Sequence, residues 1–254
     1  MERSERERQM TPAERRRRME AKRRRQKERA RKKRLRMMIL IGMGILALAI
    51  VGLIVFGIVK LVSGSGSKKI ASKSGNFVIA IDAGHGGEDI GRSNGDAVEK
   101  NVTMDISSKL KTMLESQGFQ VVMVREDDAR MSKEERVQKA NESQADLLIS
   151  IHGGYSEDVN ASGAVSYYNK ENKQSKNLAE TVQSALVKES SASDGGALEG
   201  SFHIISDAEM PAVLVEVGYI SNAEEALNLA DDSYQNEVAK GIAKGIIMSL
   251  EKTE

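Results

Sequence analysis

Apolar positions are distributed along the chain in contrasting patterns. Residues 37–59, MMILIGMGILALAIVGLIVFGIV, form 23 consecutive positions without a charge. About 20 apolar residues cross a bilayer core of about 30 Å, and buried core helices are rarely so long and so uniformly apolar. This stretch predicts one transmembrane helix, with an anchor bounded at 37–62. Farther on, the apolar runs are short: FVIAID (77–82), QVVMVR (120–125), DLLISIH (146–152), GAVSYY (163–168) and AVLVEVG (212–218). Each reads as a buried strand, and FHII (202–205) is expected to be one more. Helical spacing of apolar residues lies between them, over 102–117, 132–143, 175–189 and 222–230, running toward 238–250. Strands alternating with helices of this length predict an α/β fold. The expected architecture is a three-layer sandwich, with a mostly parallel twisted sheet flanked by helices and preceded by the transmembrane helix.

Charge divides the chain in the same places. The formal net charge is +1. Residues 1–36 hold 18 Lys+Arg against 6 Asp+Glu, a local +12, and residues 37–254 hold the remaining 20 and 31, a local −11. The expected organisation is a basic cytoplasmic tail (1–36), the anchor (37–62), a flexible Ser/Gly/Lys-rich linker (63–75) and one folded domain (76–254). A cleaved signal peptide is the competing reading of the N-terminus. Its apolar region is usually 7–15 residues behind a short basic segment, so an uncleaved anchor is preferred. The basic flank places the N-terminus in the cytoplasm and the folded domain outside a plasma membrane crossed once. The tail should attract anionic lipid, at about 1 kcal/mol per basic residue near the surface. No aromatic residue interleaves its charges and no folded motif surrounds them, so specific nucleic-acid recognition is not expected.

The chain has no Cys and no Trp. Disulfide scaffolds, thiolate nucleophiles and sulfur-based zinc sites are therefore excluded. Candidate chemistry lies at the carboxyl ends of the strands, where open α/β sheets bind ligands. His85 follows the first strand in DAGHGGEDIG, His152 closes DLLISIH, and Glu216 interrupts AVLVEVG. The glycines around His85 do not form a dinucleotide loop, because the third glycine position is Asp89, and no P-loop Lys follows. Glu216 sits among valines on the strand face of Ala212 and Leu214, where a carboxylate needs a cation, a metal or a raised pKa. Two histidines without cysteine call for a carboxylate to complete a catalytic zinc site. Glu99, Glu88 and Asp89 all compete for that position, and spacing does not choose among them. A Glu at position 99 also suits the start of a helix.

DAGHGGEDIG, Glu99, VREDDARMSKEERVQKANES, ADLLISIH and MPAVLVEVGYISN occur in this order. Together they resemble the zinc-dependent N-acetylmuramoyl-L-alanine amidases of the type 3 family, bacterial peptidoglycan hydrolases. The resemblance covers about residues 76–252. It implies zinc held by His85, Glu99 and His152, with Glu216 as the catalytic residue, and it is what selects Glu99 over Glu88. It implies peptidoglycan as the substrate, cut between the lactyl group of N-acetylmuramic acid and L-alanine. Arg125, Arg136 and Asn141 match family positions in the second block, where they are expected to fix the strand-to-helix connection rather than do chemistry. Two departures from the family pattern stand out. Ala83 replaces a usual Pro, and Gly154 replaces a usual Asn near the second His, which affects substrate positioning rather than metal binding. The segment between His152 and Ser166 has no room for the inhibitory insertion some relatives carry, so control would fall to the anchor, a protein activator or substrate access. His203 could line the cleft, although a structural role is the preferred reading. The rival functions are an inactive relative that binds wall or recruits partners, a zinc carboxypeptidase acting on stem peptides, and a protein whose main function is its basic tail.

Overall fold

A computed structural model describes residues 75–252. The expected basic tail, transmembrane helix and linker lie outside the described residues, apart from Gly75. Among the described residues, no helix is long and apolar enough to cross a membrane.

The central sheet has six strands: β1 (Val78–Ala83), β4 (Gln120–Met123), β5 (Leu147–Gly154), β6 (Ala164–Tyr168), β7 (Asp194–Glu199) and β8 (Ala212–Tyr219). Their order is β4-β1-β5-β8-β6-β7, and a small hairpin, β2 (Ser93–Asn94) and β3 (Ala97–Val98), stands apart. Neighbours are parallel throughout except for β6 against β8. The expectation of a mostly parallel sheet is met. The exception has a simple cause. Only residues 155–163 join β5 to β6, and they contain no helix, whereas a parallel return needs a crossover of a dozen or more residues.

One face of the sheet carries α1 (Glu99–Ser116), α3 (Lys173–Ser190), α5 (Ala223–Ala230) and α6 (Asp232–Lys252). They bury Ile79, Ile81, Ile149, Ile151, Val213, Val215 and Val217 of the strands. The opposite face carries α2 (Lys133–Glu142) and the single turn α4 (His203–Ser206), over Ala80, Leu148, Ala212 and Leu214. The layers follow from strand periodicity, since alternate side chains of one buried strand feed opposite cores. The helices also follow local rules. Val102, Ile106, Leu110 and Leu114 line the buried stripe of α1. Ser132 caps α2 in a reciprocal box with Glu135.

The closest helix pairing is α3 with α6. A Cβ on Gly241 would lie 2.6 Å from the Leu186 Cα, and one on Gly245 would lie 2.4 Å from the Val182 Cα. Two glycines one turn apart therefore let the two backbones touch.

Two expectations are corrected. FHII (202–205) is not a strand, because its segment forms the turn α4, which tucks Ile204 and Ile205 into the smaller core beside α2. The sheet position beside β6 is taken instead by β7, DGGALE, a half-exposed border strand without an apolar run. Helix α1 also begins three residues before the expected position, at Glu99.

Replacing Gly245 with Ala should destabilise the fold. Overpacking costs about 1–3 kcal/mol, and against a backbone atom it should outweigh the gain of about 1 kcal/mol in helix propensity. Urea unfolding should show a lower midpoint with an unchanged slope.

Candidate metal centre and active site

The carboxyl ends of β1, β5 and β8 lie side by side because the three strands are parallel and adjacent. In register, Asp82 faces Ser150, and His152 faces Glu216. The chain leaves β1 through Ala83 and Gly84 into the His85 loop. It leaves β5 through an irregularity between His152 and Gly154. These exits and the first turn of α1 build the site.

Glu99 is its centre, with 2 % of its surface exposed. Its early position on α1 has a backbone cause. The Glu99 N–H donates to the Arg92 carbonyl at 2.8 Å and the Lys100 N–H to the Ile90 carbonyl at 3.2 Å, so a loop caps the helix where no side chain does. The carboxylate completes the exchange. Oε2 accepts from the Arg92 N–H at 2.9 Å, and Oε1 accepts from the Gly153 N–H at 3.0 Å. Oε1 also lies 3.0 Å from His85 Nε2 and 3.2 Å from His152 Nδ1. Burial disfavours its charge, but His152 and His85 outweigh that and hold its pKa well below the usual carboxylate range.

The two imidazoles meet edge to face, with centroids 5.1 Å apart. One donor atom from each of His85, Glu99 and His152 falls within 4.8 Å of the others. Burial lowers the pKa of His85, but Glu99 and then Asp89 more than reverse this, so the ring sits in a field that favours positive charge. His85 Nδ1 is buried 2.9 Å from Asp89 Oδ1 without a well-aligned hydrogen bond. Two imidazoles and an ionised carboxylate with converging donor atoms make a set that could hold a metal ion. Asp89 stands behind His85 instead of joining this set, and Glu88 does not belong to it.

The packing around the rings leaves little freedom. A Cβ on Gly84 would lie 2.4 Å from the His152 ring, so only glycine lets the β1 exit pass this histidine. His85 itself has φ of +60°, a left-handed conformation that costs a non-glycine residue about 1–3 kcal/mol. Two buried arginines hold it there. The Arg136 guanidinium donates to the carbonyls of Ala83 and His85 and pairs with Asp82 at 2.7 Å, and the Ser150 hydroxyl donates to the other Asp82 oxygen at 2.8 Å. Arg125 donates to the carbonyls of Ala83, Gly84, Lys100 and Asp127, tying the β1 exit to the first turn of α1. Asn141 joins α2 to the segment after α4 through the Asp207 carbonyl and the Glu209 N–H. Arg125 and Arg136 thus fix a strand-to-helix connection, as expected, whereas Asn141 ties α2 to the segment before β8 instead.

Glu216 faces the same cleft of about 830 Å3, which His85, Glu99 and His152 also line. Burial, helped by the charge of Glu99, raises its pKa, and His152 and the nearby Tyr167 phenol act in the other direction. The structure therefore brings all four expected residues to one place. A Cβ at Gly154 would lie 3.2 Å from the Glu216 carboxylate, so a larger residue there would press on it. His203 is on the cleft wall, 2.7 Å from Asp207 and 3.8 Å from Glu134. Sequence reasoning missed Tyr167, which reads as an ordinary strand aromatic. It also missed the outer wall, where the Arg92 guanidinium lies 3.9 Å over the Tyr155 ring.

Comparison with known proteins agrees with this geometry. Residues 79–248 match the Amidase_3 family, N-acetylmuramoyl-L-alanine amidase. The uncharacterized protein YqiI of Bacillus subtilis is 39 % identical over 170 residues, which is 66 % of this chain and 82 % of YqiI. The amidase LytC of B. subtilis is 35 % identical over 187 residues, covering 71 % of this chain but only 38 % of LytC. The crystal structure of an N-acetylmuramoyl-L-alanine amidase from Clostridium difficile 630 superposes with a TM-score of 0.68 at 34 % identity, over 71 % of this chain and all of that one. The chain thus belongs to the N-acetylmuramoyl-L-alanine amidase family.

Proposed function

We propose that the chain is a zinc-dependent peptidoglycan hydrolase, anchored in a plasma membrane, that cuts the amide between the lactyl group of N-acetylmuramic acid and L-alanine. The observation that carries this reading is the placement of Glu216 over the cleft that the His85, Glu99 and His152 group also lines. Zinc held by these three residues would supply the acidity of a bound water and the polarisation of the scissile carbonyl.

The remaining work falls to the chain. Glu216 accepts a proton from the attacking water, whose oxygen bonds to the lactyl carbonyl carbon. The C–N bond breaks and Glu216 passes the same proton to the departing L-alanine nitrogen. A carboxylate buried beside Glu99 holds that proton more readily than an exposed one, which suits a group acting first as base and then as acid. The cleft walls, from Arg92 and Tyr155 to Phe202 and His203, orient the glycan and the peptide. The gathered site weighs against an inactive relative that only binds wall. The sequence pattern supports residues 37–62 as the anchor and residues 1–36 as a cytoplasmic tail near anionic lipid, with the enzyme domain outside.

Full-length protein with Zn2+ and purified peptidoglycan should release stem peptides that begin with a free L-alanine, read by mass spectrometry. Release of single C-terminal amino acids, with the stem left on the glycan, would point to a carboxypeptidase instead. Glu216→Gln should keep its zinc by elemental analysis and lose turnover by about a thousandfold. Loss of zinc in this variant, or near-normal turnover, would remove Glu216 from the reaction. Chelation should abolish activity and added Zn2+ restore it, whereas His152→Ala should bind zinc too weakly for rescue. Protease added outside cells stripped of their wall should digest the enzyme domain and spare an epitope on residues 1–36. The opposite pattern would reverse the topology.

A further inference from the structure

We propose that Tyr167 is the positioning residue for Glu216, its phenol donating to the carboxylate and holding it in the orientation from which it exchanges its proton. This inference rests on the reading of Glu216 as the base.

Strand pairing places the two residues together. In the antiparallel ladder of β6 and β8, Val165 is opposite Glu216 and Tyr167 is opposite Leu214. Tyr167 and Glu216 are therefore diagonal neighbours on one face, separated by about 7–8 Å at the backbone, within reach of an aromatic side chain. The register thus sets the phenol beside the Glu216 carboxylate, near enough for each to shift the other's pKa. The ring that carries the phenol is itself confined. It packs against the core around Leu214, and its centroid lies 4.9 Å from that of Phe202, a residue of the cleft wall. The donor is thus delivered from a sheet position and a ring packed at a tilt against Phe202, without a flexible arm.

The hydroxyl is suited to be a constant donor. Burial first, and then the charge of Glu216, push its pKa up to about 12, so it stays protonated wherever Glu216 is ionised. The other charged groups around Glu216 offer no such anchor. His152 on β5 attracts the carboxylate and Glu99 on α1 repels it, and both belong to the proposed zinc site. Tyr219 stands at the end of the same strand as Glu216, and Glu134, Arg136 and His203 line the cleft from α2 and α4. A carboxylate that is repelled from one side and must alternate between accepting and donating a proton gains direction from one neutral donor fixed on the neighbouring strand.

The test uses the full-length, zinc-loaded protein and a muropeptide substrate. Tyr167→Phe should lower kcat by about tenfold, leave KM within about twofold, and leave zinc content and melting temperature unchanged. In parallel, 3-fluorotyrosine or 3,5-difluorotyrosine incorporated at position 167 keeps the shape and makes the phenol a stronger donor. Rates that change stepwise with phenol acidity are expected. This series decides the matter even if Tyr167→Phe fails to fold. A fluorotyrosine series with one common kcat, or a folded Tyr167→Phe enzyme with wild-type kcat, overturns the inference. Glu216→Gln separates it from the reading beneath it. If that variant turns over normally, both fall. If it is inactive while Tyr167→Phe is unimpaired, the role of Tyr167 falls alone.

Discussion

The site depends on keeping one carboxylate ionised while it is almost fully buried. Glu99 has given up hydration, and every neighbouring element compensates it. The loop before α1 offers the Arg92 N–H, the end of β5 offers the Gly153 N–H, and two imidazoles approach the same oxygen. A charge in this position is strongly destabilising unless such partners are in place. The exit of β1, the irregular end of β5 and the start of α1 must therefore form together. Arg125 and Arg136 serve the same end from beneath, by fixing the carbonyls of the loop that carries His85.

Glu216 shows the opposite arrangement on the same sheet. It receives no comparable set of backbone donors, and the charge of Glu99 adds to the effect of its burial. Two carboxylates that line one cleft are thus driven apart in acidity, one toward permanent charge and the other toward proton exchange. The division of roles comes from position. Glu99 is at the start of a helix beside two histidines, whereas Glu216 is on a strand between valines, with a phenol on the next strand.

Much of this was legible in the sequence. The apolar runs located five of the six strands, and strand ends placed His85, His152 and Glu216 at one edge before any geometry was known. Glu99 was not legible from spacing, because Glu88 and Asp89 are closer to His85 along the chain and only the family resemblance set them aside. The helix carrying Glu99 begins before its apolar stripe does, since backbone carbonyls of the loop leading into it satisfy its first turn, and hydrophobic periodicity does not register such a cap. FHII misled because two adjacent isoleucines bury equally well in one helical turn. β7 was invisible because DGGALE is held by ladder hydrogen bonds at a border, without an apolar face. Tyr167 looked like any alternating strand residue, and its importance comes from the strand it pairs with. The N-terminal expectations concern residues outside the described part of the chain.

The borders of the sheet have a consequence of their own. β7 at one end carries two glycines, one with φ of +90°, and its register with β6 shifts after the first pair. β4 at the other end is only four residues long. A growing ladder needs a long, flat row of free amides and carbonyls, and neither border supplies one. Uncontrolled strand recruitment between copies crowded on one surface is thus blocked by local irregularity and brevity, with no need for a covering segment.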